Sequence, residues 1–137
     1  MVTAVDSNIL FDILEADDAF LAMSREALHA ALDEGRVIVC DVVWAEIAGY
    51  FATEEAMVEA MKELGVGFVP LGQQAATTAG AAWRSYRARG GSRERMVADF
   101  LVGAHAAAHA DRLLTRDGGF YRSHFKKLHV LNPAKPT

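Results

Sequence analysis

Four carboxylates stand where a chain of this pattern has little structural need of them. Asp6 ends the short run "TAVD" and is followed by Ser7 and Asn8 before apolar sequence resumes. Glu46 lies in "VVWAEIAGY", a segment made largely apolar by Trp44, Ile47, Tyr50 and the following Phe51. Asp99 lies in "VADFLVGAHA" and Asp117 in "LLTRDGGF". Carboxylates brought together repel one another, and burial raises the cost of ionising them. A divalent cation removes that penalty. Mg²⁺ prefers oxygen ligands, keeps several waters, and is commonly held by one or two carboxylates plus a substrate phosphate. Such ions polarise a phosphodiester, acidify water and stabilise the leaving oxygen.

Each acid alone also suits an ordinary role. Asp6 fits a helix N-cap, Asp117 before Gly118 and Gly119 fits a turn, Glu46 fits a solvated face, and Asp99 fits the first turn of a helix. Their joint placement is what carries the metal reading, and it depends on the elements around them.

Short runs rich in Val, Ile and Leu alternate with longer helical segments. Strands are expected at 3–6 ("TAVD"), 36–41 ("RVIVCD"), 66–71 ("VGFVPL"), 111–117 ("DRLLTRD") and 127–132 ("KLHVLN"). Helices are expected over 9–35 with Gly35 as the C-cap, over 42–51, 54–64 and 73–90, and over 95–110. Strands separated by helices need crossover connections, so the expected class is α/β: a three-layer α/β/α sandwich around a mostly parallel sheet. In such sheets ligands bind outside the carboxyl ends of the strands. Asp6 and Asp117 belong to that edge. On a helix, Val102, Gly103 and Ala106 share the face of Asp99 and would let it pack closely against the sheet.

The 137 residues favour one compact domain, expected at 1–132 with a short tail at 133–137 marked by Pro133 and Pro136. An apolar content of 52% allows a full core without disulfides or structural metal. Cys40 is the single cysteine and reads as a core thiol, with a reducing cytoplasm as the expected setting. No leader pattern and no bilayer-spanning apolar run is visible. The net charge of −4 argues against coating nucleic acid by bulk electrostatics. A local excess stands out in "WRSYRARGGSRER", where Arg84, Arg87, Arg89, Arg93 and Arg95 face only Glu94, and again in Arg122, Lys126 and Lys127. His105 and His109 sit one helical turn apart but point away from Asp99, and no Glu follows His105 to complete a metalloprotease motif.

"AVDSNILFDIL", Glu46 in "VVWAEI", Asp99 in "MVADFLVGAHA" and "LLTRDGGF" resemble, in order, the four blocks of the PIN domain. Within it the chain is similar to the VapC-type toxins of type II toxin–antitoxin pairs. The resemblance implies a Rossmann-like fold and a Mg²⁺- or Mn²⁺-dependent endoribonuclease whose acidic quartet is Asp6, Glu46, Asp99 and Asp117. Asp6 and Asp99 match the two acids that hold the metal most directly. Ser7, Asn8 and Thr115 match polar positions lining the site. Asp41 stands where relatives more often carry Ser or Thr, and it is expected to cap the Glu46 helix. Arg116 and the arginines of the 84–95 stretch become candidates for steering RNA phosphates.

The resemblance also implies a homodimer and a VapB-like antitoxin that blocks the groove. One candidate docking face is "ILFDILEADDAFLAM", although Phe11, Leu14, Phe20 and Leu21 also suit the core. Two other functions remain open from sequence. A catalytically silent PIN-like binding module has no evident reason to keep four mutually repelling acids. An Asp-nucleophile phosphatase or phospho-acceptor would use Asp6, but such enzymes place a second Asp two residues on, where this chain has Asn8.

Overall fold

The computed structural model describes residues 1–92, 95 and 97–135. Five strands form one sheet: β1 (Val2–Val5), β2 (Arg36–Val39), β3 (Val66–Phe68), β4 (Arg112–Leu114) and β5 (His129–Leu131). Their order is β3-β2-β1-β4-β5 and every pairing is parallel. Among the described residues, seven helices complete a three-layer α/β/α sandwich: α1 (Ser7–Leu14), α2 (Leu21–Glu34), α3 (Asp41–Tyr50), α4 (Glu54–Leu64), α5 (Gln73–Ala88), α6 (Val97–His109) and α7 (Gly118–His124).

Parallel strands covered on both faces are buried on both faces, which is why β1, β2 and β4 are buried at successive positions rather than at alternate ones. Val5, Val37, Ile38, Val39, Leu113 and Leu114 are all buried. α2 packs on β2, α4 on β3, α6 on β1 and β4, and α7 on β5. The direction in which the chain moves across the sheet reverses at β1. Strands β2 and β3 lie on one side of it and β4 and β5 on the other. The crevice between β1 and β4 is thus the switch point where an open α/β sheet binds ligands. No helix among the described residues is long and apolar enough to cross a membrane.

The structure departs from expectation in four places. The helix expected over 9–35 is two helices. Ala16 takes a left-handed φ of +51°, and the carboxylate of Asp17 accepts from the N–H groups of Ala19 (2.9 Å) and Phe20 (3.0 Å), turning the chain before α2. Gly35 does cap α2, its N–H donating to the Ala31 carbonyl. A second difference is α7, which occupies residues read as a turn after Asp117. Third, β3 stops at Phe68, short of Pro70. Fourth, Asp41 is the first residue of α3 rather than its cap. Its carboxylate accepts from the Leu71 N–H at 2.7 Å and ties α3 to the β3–α5 loop.

That loop is held from a second side. His105 and His109 each place Nε2 2.8 Å from a carbonyl, of Val69 and Leu71 respectively, so both histidines pack rather than ligate. Cys40 is buried in the core. Phe11, Leu14, Phe20 and Leu21 are each half-buried, and Phe11 meets Tyr50 edge-on with ring centroids 5.7 Å apart.

Candidate active site

Asp6 caps α1 one residue after β1 ends, and only 8% of it is exposed. Its N–H continues the sheet ladder to the Leu114 carbonyl at 3.0 Å. Its Oδ1 accepts from the Ser7 N–H at 2.8 Å, and its Oδ2 accepts from the Thr115 hydroxyl at 2.8 Å. Asn8 Nδ2 lies 3.5 Å from the same Oδ2. Burial pushes the Asp6 carboxyl above its ordinary range. Donors from Thr115, Ser7 and Tyr121 pull it back, and the charge of Asp117 adds to the rise.

The other three acids share this electrostatic neighbourhood. Glu46, on α3, is largely solvent-exposed yet lines a cleft with Ser7, Asn8, Phe11, Asp12 and Arg116. Its carboxyl is pushed up first by the partial burial of the cleft and then by Asp6 and Asp99, while a hydrogen bond from Ser7 opposes the rise. Asp99 lies in the first turn of α6. Asp117 precedes α7, and its backbone N–H donates to Thr115 Oγ1 at 3.0 Å. β1, α3, α6 and the β4–α7 junction therefore deliver one acid each to the same end of the sheet.

The polar positions divide by role. Ser7 touches Glu46 and sits in the cleft. Asn8 is a strut, donating to Thr115 Oγ1 at 3.3 Å and accepting from the Arg116 N–H at 3.2 Å. Thr115 is fully buried, so it supports acids rather than touching solvent. The expectation that Arg116 steers phosphates meets a different geometry. Its Nε and Nη2 bind both oxygens of Asp12, at 2.7 and 2.9 Å, and its guanidinium carbon lies 4.0 Å from the centre of the Phe20 ring. Asp12 is buried and also accepts from the Ser24 hydroxyl at 2.7 Å. This network locks the α1–α2 turn against the β4–α7 junction.

Of the arginines in the 84–95 stretch, Arg84, Arg87 and Arg89 are exposed, with Arg87 stacked on Trp83. Arg93, with Glu94, lies outside the described residues. Arg95 binds Asp117 through both terminal nitrogens. Tyr121 had not been foreseen. It is 2% exposed on α7, one helical turn after Asp117, and its phenol lies beside Asp6. Burial followed by the charges of Asp6 and Asp99 holds that phenol far above its ordinary range, so it stays protonated as a donor. The i+4 spacing from Asp117 would have marked it, had α7 been recognised.

The donor set is all oxygen, since Cys40 and both α6 histidines face elsewhere. Among the described residues no three His, Cys, Asp or Glu side chains are grouped closely enough to hold a metal ion by themselves. Carboxylate and hydroxyl oxygens are the donors a hard cation takes, with water completing its shell, and are not the usual set of tetrahedral zinc.

A family profile for the PIN domain matches residues 3–126. The chain belongs to the PIN-domain family. No curated protein is similar enough in sequence to count as a relative. Solved structures that this PIN domain resembles include VapBC2 of Rickettsia felis bound to a DNA fragment from their promoter. There the TM-score is 0.72 at 16% identity, covering 96% of this chain and 98% of that one. A toxin–antitoxin complex of Klebsiella pneumoniae gives a TM-score of 0.71 at 19% identity, covering 98% and 99%. A sarcin–ricin-loop-cleaving VapC toxin of Mycobacterium tuberculosis gives 0.61 at 19% identity, covering 93% and 98%. At these identities the likeness is one of fold, and it extends over nearly the whole PIN domain.

Proposed function

We propose that this chain is a divalent-cation-dependent endoribonuclease that acts as the toxin of a toxin–antitoxin pair. The observation that carries the reading is Asp6: a buried, desolvated carboxylate at the sheet's switch point, coupled to Asp117 and Glu46, with Asp99 acting on Glu46 and Tyr121 beside it. Asp6 and Asp99 would hold Mg²⁺ or Mn²⁺, with Glu46 and Asp117 completing the set. When bound, the cation supplies charge compensation for a phosphodiester under attack and acidifies water. The chain's own residues do the rest. Ser7 and Thr115 fix the orientation of Asp6, with the Tyr121 phenol beside it. Glu46, raised and at the cleft, is the group placed to accept a proton from the attacking water.

The partners follow from the resemblance and from the assemblies in which the similar structures were solved. We assign to this chain an RNA substrate, a VapB-like antitoxin that covers the acid cleft, and a homodimeric state in the cytoplasm. The deciding experiment is growth after induction of wild type and Asp99→Asn, followed by sequencing of RNA 5′ ends. Wild type is expected to arrest growth and to produce discrete new ends that Asp99→Asn lacks. Equal arrest by both without new ends would replace the nuclease by a binding module.

A further inference from the structure

Asp117 is not held by the protein backbone alone. Arg95 reaches it with Nη1 to Oδ2 and with Nη2 to Oδ1, the latter at 3.1 Å. The same guanidinium carbon lies 4.2 Å from the centre of the Phe120 ring and also feels the charge of Asp99. The Arg95 and Asp117 side chains are 31% and 36% exposed. An ion pair this wet dissociates at modest cost. Its planar, two-pronged geometry is also the one a guanidinium uses for phosphate. Arg95 is thus the one arginine of its stretch seen to reach the acid site among the described residues, and it already carries a positive charge there.

We propose that Arg95 is an exchangeable counter-cation: it holds Asp117 while no divalent cation is bound, yields it when that cation arrives, and then takes a phosphate of the RNA. The proposal rests on the nuclease reading above. Two cations on one carboxylate repel each other, so cation binding includes the displacement of Arg95. The displaced guanidinium, still beside Phe120, is neutralised by a phosphate brought to the same acids. Cation and RNA must then favour each other's binding, by the same factor in either order.

The test uses the full chain as wild type, Arg95→Gln and Arg95→Lys, each checked for folding by circular dichroism. Mn²⁺ affinity is measured by calorimetry. Affinity for a labelled RNA oligonucleotide, shown intact by gel afterwards, is measured by anisotropy with and without Mn²⁺. Arg95→Gln is expected to bind Mn²⁺ about three- to ten-fold more tightly than wild type and to lose the Mn²⁺-induced gain in RNA affinity. Arg95→Lys, which keeps the charge but not the two-pronged grip, is expected to fall between them. Arg95→Gln binding Mn²⁺ no more tightly than wild type, or keeping the full gain in RNA affinity, overturns the proposal. If wild type binds Mn²⁺ and cleaves RNA in that case, the nuclease reading stands. If folded wild type and Arg95→Gln both fail to bind Mn²⁺, the two ideas fall together.

Discussion

Thr115 and Asp6 meet hydroxyl to carboxylate at 2.8 Å, although they are 109 positions apart in the chain. The same Thr115 oxygen accepts from Asn8 Nδ2 at 3.3 Å and from the Asp117 N–H at 3.0 Å. One buried hydroxyl therefore sets the positions of two acids that arrive from different strands.

Thr115→Val keeps the shape but removes that donor and acceptor together. It is expected to destabilise the fold by about 2 kcal/mol, the usual scale for orphaned buried polar groups. Thr115→Ser should recover most of the loss. Urea titration of both variants measures the difference.

Arg116→Ala leaves Asp12 buried with only the Ser24 hydroxyl as a partner. A loss of roughly 3 kcal/mol is expected, because half of a buried pair is worse than none. Asp12→Ala combined with Arg116→Ala should therefore cost much less than the sum of the single changes. A double-mutant cycle by chemical denaturation reads that coupling.

Asp6 and Glu46 both have folded carboxyls raised above their ordinary values of 3.8 and 4.5. At low pH both states are protonated and neither acid costs anything. As pH climbs past those values the unfolded chain releases its protons first, so stability falls until the folded acids ionise as well. With a chelator present, the urea midpoint is expected to drop as pH rises through the mildly acidic range. Asp6→Asn should flatten that slope, and excess Mg²⁺ or Mn²⁺ should reverse it in wild type. A slope unchanged by Asp6→Asn would place its origin elsewhere.

Gly103, one turn after Asp99, has no room for a methyl group. A Cβ there would lie 2.3 Å from Cε2 of Phe125, a buried ring. Gly103→Ala gains about 1 kcal/mol of helix propensity, but the clash is expected to cost about 1–3 kcal/mol. The melting temperature should fall, and Phe125→Leu in the same chain should restore part of it.

Much of this site was legible because strand ends are marked locally. Asp6, Ser7 and Asn8 interrupt an apolar run, and "LLTRD" does the same a hundred residues later. What the pattern could not carry is geometry decided by single contacts. The break between α1 and α2 falls at residues 15–19, where no Gly or Pro marks it, and depends on Ala16 and Asp17. Paired glycines at 118 and 119 disguise α7 as a turn, and with it Tyr121. Arg116 looked like a free cation because Asp12, its partner, is 104 residues away. The small face of α6 does fit the sheet, packing on β1 and β4, and at Gly103 it also makes room for the Phe125 ring.

Because β1 is central and its neighbour β4 comes from the last third of the chain, the site has a birth order. A ribosome that has just emitted Asp99 has released three of the four acids but not the strand that anchors the first of them. Neither Thr115 nor Tyr121 yet exists to hold Asp6, and the crevice between β1 and β4 has only one wall. A partly synthesised polypeptide therefore lacks the assembled acid site. On the proposed function, danger to the cell begins only once β4 and α7 have been made.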